Sequence, residues 1–161
     1  LLTYRKMRLV RETGEHRVFV PGVGPSTVVA GGVRVALAIC WDLGFPEVVR
    51  EAAEDGAELV LAPAGWRAPY GAQYELACAA RALDNAVYLA SANQLGEYPE
   101  ASFGGPGGVF APDGSRISEE HARGGPPSWR SFGHIDTGLP GRWRRDYGST
   151  LGAGGEALQA L

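Results

Sequence analysis

A chain of 161 residues, 45% of them hydrophobic and 20% charged, has the make-up of a soluble globular protein with a single core. Its formal net charge of -3 offers no basic surface for nucleic acid, and no apolar run approaches the roughly 20 residues of a membrane span. The N-terminus has no signal-peptide layout, so the sequence reads as cytoplasmic, with neither nucleic acid nor membrane as a partner.

Residues 1–10 mix apolar and polar positions, with Leu2, Tyr4, Leu9 and Val10 compatible with an extended segment. Residues 11–24 read as a loop whose end is marked by Pro21-Gly22. Residues 26–30 and 33–39, joined by Gly31-Gly32, predict a hairpin. In its second arm Val33, Val35, Leu37 and Ile39 alternate with Arg34, Ala36 and Ala38, a nearly continuous apolar run that suits a central strand. Gly44 breaks the run, Pro46 has the φ favoured at a first helical position, and Glu47 places an acid in the first turn. Phe45, Val48, Val49, Ala52 and Ala53 then recur at helical spacing as far as Gly56.

Residues 58–63 predict a short strand, and residues 71–85 a second helix with an apolar stripe of Leu76, Ala79, Ala80 and Leu83. With a strand over residues 86–92 this gives a βαβαβ order and helices packed on a sheet. Ligand sites in such sheets gather at strand ends, which makes Trp66 either a pocket wall or a loop aromatic packed on the core. Residues 93–108 read as an irregular surface segment, 109–111 as a strand, and Asp113-Gly114 as a turn. Residues 121–128 are rich in Gly and Pro, and residues 129–135 predict a last strand.

Chemistry is expected at the corner where the central strand meets the first helix, and Cys40 stands there. A thiol near a helix N-terminus has a raised thiolate fraction, although a free cysteine is as often a small buried hydrophobe. The other cysteine, Cys78, lies in the second helix and reads as a core or helix-surface residue. Lys6 is the one lysine among fifteen basic residues. A compact ammonium suits a single oxyanion better than a guanidinium does.

Three separated stretches resemble the carbon-nitrogen hydrolase (nitrilase) superfamily. YRKMRLV, residues 4–10, is similar to the family's Y-R-K-x-H-L segment with its catalytic lysine, Arg8 standing where that pattern has histidine. EHRVFVPG, residues 15–22, resembles the segment in which a glutamate precedes R-x-F-x-P-G. ICWDLGFPE, residues 39–47, resembles the nucleophile segment I-C-Y-D-x-x-F-P-E. Similarity continues through residues 66–96 and, more loosely, 103–114, where Gly107 stands in place of the family's usual serine.

The resemblance implies an α/β fold, a partial αββα sandwich of the nitrilase type, forming one domain over residues 1–161. The family's first strands and its general-base glutamate lie before the lysine segment, so the chain reads as N-terminally truncated, and its C-terminal region as shortened. The implied reaction is hydrolysis of an amide, nitrile or N-carbamoyl amino acid through a thioester on Cys40, without a cofactor or metal. Lys6 and the backbone N–H of Trp41 would bind the oxyanion, Glu15 would serve Lys6 or the proton transfer, and Trp66 and Glu75 would bind substrate or hold the site. Cys40-Trp41-Asp42 mixes the nitrilase and amidase patterns; Asp42 and the following Phe45-Pro46-Glu47 favour the amidase side. The family's homodimer is the implied assembly. The rival reading is a catalytically inactive module that binds a small molecule or a subunit, in which Glu15 is a solvated loop charge.

Overall fold

The computed structural model describes residues 2–105, 107–122 and 129–146. The expected hairpin forms from β1 (Thr27–Ala30) and β2 (Val33–Leu37), paired antiparallel. Gly31 and Gly32 both have positive φ, 59° and 83°, which a two-residue hairpin turn of this twist requires. β2 is followed by α1 (Pro46–Glu54), β3 (Leu59–Ala64), α2 (Gly71–Asn85) and β4 (Tyr88–Asn93), with β2, β3 and β4 mutually parallel. Pro46 opens α1 as its spacing predicts, and Gly56 ends it at φ +89°.

β5 (Gly96–Tyr98) and β6 (Ala101–Phe103) form a small hairpin of their own. Their Gly-rich surroundings read as irregular, and the pairing is a correction to that reading. β7 (Gly107–Phe110) then runs antiparallel beside β4, giving the sheet order β1-β2-β3-β4-β7.

Both helices cover one face of this sheet. Val60 pairs with Leu89 and Leu89 with Phe110, and these same-face side chains share one buried cluster with Val49 and Ala53 of α1 and Tyr74, Cys78 and Ala82 of α2. Here the expected stripe of α2 is corrected: Leu76 and Leu83 are 69% and 50% exposed. Both faces of α2 are apolar, and the sheet takes the one whose Cys78 and Ala82 permit close approach.

β8 (Glu119–Ala122) and β9 (Trp129–Phe132) pair antiparallel as a separate two-stranded sheet. The Gly/Pro-rich stretch therefore yields strand at 121–122, while residues 123–128 lie outside the described residues. The C-terminal region, expected to be shortened, forms α3 (Leu139–Asp146). Pro140 falls in its first turn, where the missing N–H costs nothing. Arg144 of α3 donates to the Ala57 carbonyl at 2.7 Å, tying the helix to the end of α1. Among the described residues no helix is long and apolar enough to cross a membrane.

Candidate active site

The corner after β2 is built around Asp42. Cys40 opens a 3-10 turn, Cys40–Gly44, that separates the strand from α1, and its own backbone is left-handed at φ +50°. Asp42 within the turn is fully buried, a costly place for a carboxylate unless donors surround it. Four do. Its Oδ2 accepts the Tyr4 hydroxyl at 2.8 Å and the Ile39 amide at 2.9 Å, and its Oδ1 accepts the amides of Met7 at 3.1 Å and Arg8 at 2.8 Å. Asp42 thus takes the place of a β-ladder in holding residues 4–8, which make no strand. Burial, and then the bond to Asp42, push the Tyr4 phenol well above its ordinary pKa.

Two further contacts secure this segment. Arg8 donates to Glu47 at 2.7 Å and lies over the Phe45 ring at 5.0 Å, so the residue that departs from the family's histidine bridges to the start of α1. The Gly22 amide donates to the Lys6 carbonyl at 2.9 Å, and a Cβ on Gly22 would stand 2.3 Å from the Arg5 carbonyl oxygen. Only glycine permits that approach.

Lys6, so positioned, donates to both oxygens of Glu15, at 2.8 and 2.7 Å. The Glu15 Oε2 also accepts the Val10 amide at 2.7 Å. Burial would raise the Glu15 pKa, but the bonds from Lys6 and Val10 prevail and hold it below the usual carboxylate range. The Lys6 side chain is 12% exposed.

Cys40, Lys6 and Glu15 share the wall of a cavity of about 840 Å³, with Tyr4, Leu9 and Phe19 among its other lining residues. Cys40 and Glu15 also border a second cavity of about 310 Å³, whose walls include Trp41, Trp66, Arg67 and Tyr70. The structure therefore brings Cys40, Lys6 and Glu15 together and sets Trp41 and Trp66 beside them. Trp66 is buried between Trp41, 5.4 Å away, and Tyr74, 5.3 Å away. Asn93 at the end of β4 fixes it: Oδ1 accepts the Trp66 amide at 2.7 Å, and Nδ2 donates to the carbonyls of Trp66 and Gly104, each at 3.0 Å.

Glu75 lines neither cavity and accepts Arg116 at 2.7 Å, half exposed on α2, while Arg116 also donates to the Gly107 carbonyl. Its contacts support β7, and Arg81 on the same helix pairs instead with Asp84 at 3.1 Å. Gly107 has φ +81°, and a Cβ there would meet the Ser91 carbonyl oxygen at 2.3 Å, so serine has no room at this position. Cys78 is wholly buried, and burial pushes its thiol up to about 11 against an opposing hydrogen bond with Ser91.

Sequence reasoning assigned no role to Tyr4, Asp42 or Asn93. Tyr4 and Asp42 stand inside quoted motifs, yet their bond joins residues far apart in the chain. Asn93 carried no local signal beyond its place at a strand end.

An α/β sheet that presents a cysteine at a strand-to-helix corner, beside a lysine held by a glutamate, is the arrangement of a carbon-nitrogen hydrolase. The family model described as carbon-nitrogen hydrolase matches residues 1–126, and the chain belongs to that family. A protein of Pseudomonas protegens described as a hydrolase in the pqqF 5' region is 36% identical over 119 residues, covering 73% of this chain and 41% of that protein. An (R)-stereoselective amidase of Pseudomonas sp. is 40% identical over 95 residues, covering 59% of this chain and 34% of that one. Among solved structures, an amidase from Nesterenkonia sp. AN1, carrying acrylamide added to its active-site cysteine, superposes with a TM-score of 0.71 at 31% identity. The match covers 90% of this chain and 56% of that amidase. The chain thus spans about two fifths or less of these two curated relatives.

Proposed function

We propose that the protein hydrolyses the C–N bond of a small amide through a thioester on Cys40. One observation carries this reading: a free thiol and a lysine gripped by both oxygens of a glutamate face one cavity. The Cys40 sulfur attacks the carbonyl carbon, the amine leaves with a proton, and water then releases the acid. Lys6 and the Trp41 amide stabilise the oxygen that becomes negative; loss of one such donor costs about 3 to 4 kcal/mol in comparable sites. Glu15 orients Lys6. The proton lost by the Cys40 thiol is the one the amine carries away, while Glu15, its carboxyl held below the usual range by Lys6 and Val10, stays an anion beside the ammonium. Trp66 walls the acyl side.

The test is mass spectrometry of protein incubated with an aliphatic amide, an N-carbamoyl amino acid and a nitrile, followed by product assay. An acyl adduct confined to the Cys40 peptide, with acid released, is the expected result. A second reading, a non-catalytic binding module, is favoured by the engagement of Glu15 with Lys6 and Val10, which takes up the carboxylate lining the larger cavity. Saturable binding of these compounds with no adduct or product identifies it. The homodimer belongs to the same proposal, with exposed Leu76 and Leu83 of α2 as surface for a second copy; light scattering reads it out.

A further inference from the structure

We infer that Asn93 is a positioning residue for the reaction: its side chain sets where Trp66 stands, and through Trp66 the length of acyl chain that the smaller cavity accepts; this rests on the amidase reading above. β3 and β4 pair as far as Ala64 opposite Asn93, and the Gln94 amide closes that ladder on the Ala64 carbonyl at 2.9 Å. Trp66 lies past its end, outside any strand. The Asn93 carboxamide continues the ladder in place of a backbone, accepting from the Trp66 N–H at 2.7 Å and donating to the Trp66 carbonyl at 3.0 Å. It can do so because a carboxamide, like a peptide, carries a donor and an acceptor side by side.

Trp66 has no slack with which to absorb a loss of these bonds. Its ring is buried between Trp41 and Tyr74, so a shift of its backbone must move the ring within the stack or break it. Gly65 and Trp66 wall the cavity that borders Cys40, and Trp41, packed on the same ring, directly follows the nucleophile. The second Nδ2 hydrogen goes to the Gly104 carbonyl, at the foot of the β5–β6 hairpin. Phe103 of that hairpin bridges Arg67, and the Ala68 Cβ is 3.3 Å from where a Cβ on Gly104 would lie. One carboxamide thus joins the end of β4, the cavity wall and the hairpin. Asn85 is the contrast: more deeply buried, it donates only to the Arg81 carbonyl of its own helix and lines neither cavity.

The test reads kinetics with acetamide and hexanamide, and the circular-dichroism exciton couplet of the Trp41–Trp66 pair. Both are measured in the full chain for Asn93→Ala, Asn93→Ser, Trp66→Ala and the Asn93→Ala/Trp66→Ala double variant. With Asn93→Ala, kcat/KM for hexanamide is expected to fall about tenfold through KM, the scale of roughly two methylenes returned to water. Acetamide should change by less than about twofold, and the couplet should weaken. Asn93→Ser, which keeps a donor and an acceptor on one oxygen, should lie between. In the Trp66→Ala background, replacing Asn93 should have no further effect on hexanamide. An equal fall for both amides, a fall in kcat alone, an unchanged couplet or additive losses in the double variant would each overturn the inference, as would loss of the folded state in both Asn93 variants. Failure of the Cys40 protein to hydrolyse either amide would sink the amidase reading instead. The couplet and calorimetric binding of hexanamide to chains carrying Cys40→Ala, with and without Asn93→Ala, then decide the inference by themselves.

Discussion

Tyr4 and Asp42 are joined at 2.8 Å across the join between the lysine segment and the nucleophile turn. The same carboxylate accepts the Met7 and Arg8 amides, so with Tyr4 it grips the chain on both sides of Lys6. Asp42→Asn keeps the shape but turns an amide NH₂ toward donors that need an acceptor. We expect a loss of about 3 kcal/mol in urea unfolding, in the range for breaking a buried charged network. A change below about 0.5 kcal/mol would show that the network does not hold the segment.

The two thiols should differ in reactivity. Cys78 is wholly buried and its thiol is pushed up to about 11, while Cys40 is part-exposed at the junction of two cavities. Alkylation of the native chain near pH 8, read by peptide mass, should modify Cys40 and leave Cys78 intact until the chain unfolds. Cys40→Ser should abolish turnover with the fold preserved, and Cys78→Ser should retain it.

Lys6→Arg keeps the charge but sets a larger planar group where Glu15 grips an ammonium with both oxygens. In the active protein kcat should fall by a factor of ~10² to ~10³ with the melting temperature nearly unchanged. Near-normal kcat for both Lys6→Arg and Lys6→Ala would remove Lys6 from the mechanism.

Acid should loosen the same pair. The Glu15 carboxyl is depressed in the folded chain, its bonds to Lys6 and Val10 outweighing burial, so its stabilisation is complete above the ordinary glutamate value of about 4.3. That contribution is lost as pH falls through the lower folded value. Glu15→Gln should therefore destabilise the chain at neutral pH and flatten its acid limb, seen in unfolding curves taken between pH 3 and 7. Parallel curves for the two proteins would contradict the linkage.

Gly107→Ser tests a departure from the family pattern. With φ +81° and the Ser91 carbonyl oxygen 2.3 Å from any Cβ, the serine should cost about 2 to 3 kcal/mol. An unchanged melting temperature would mean that β7 can shift to admit it.

What the sequence disclosed depended on whether a feature was local. The corner at Cys40 was legible because an apolar strand, Gly44 and Pro46 are consecutive signals. Lys6 stood out as the one lysine in the chain, but Glu15 beside it was legible only by resemblance, since a pair spanning a loop has no period. The four-donor role of Asp42 was hidden, because three of its four partners lie 34 to 38 residues earlier in the chain. α2 was placed correctly but turned wrongly, as Leu76 outweighs Cys78 in hydrophobicity while the sheet selects for close fit. α3 was not anticipated because the resemblance made this C-terminal region read as shortened, although a first helical turn tolerates Pro140.

The left-handed backbone at Cys40 has a further implication. A side chain held at φ +50° carries strain on the order of 1 to 2 kcal/mol that glycine would not. At this one position, stability and reactivity ask for different residues. A library of variants selected only for resistance to heat should drift toward Cys40→Gly and emerge sturdier and chemically silent. Thermal robustness is thus a misleading screen for competence in this protein, and the sulfur must be kept by selecting for what it does.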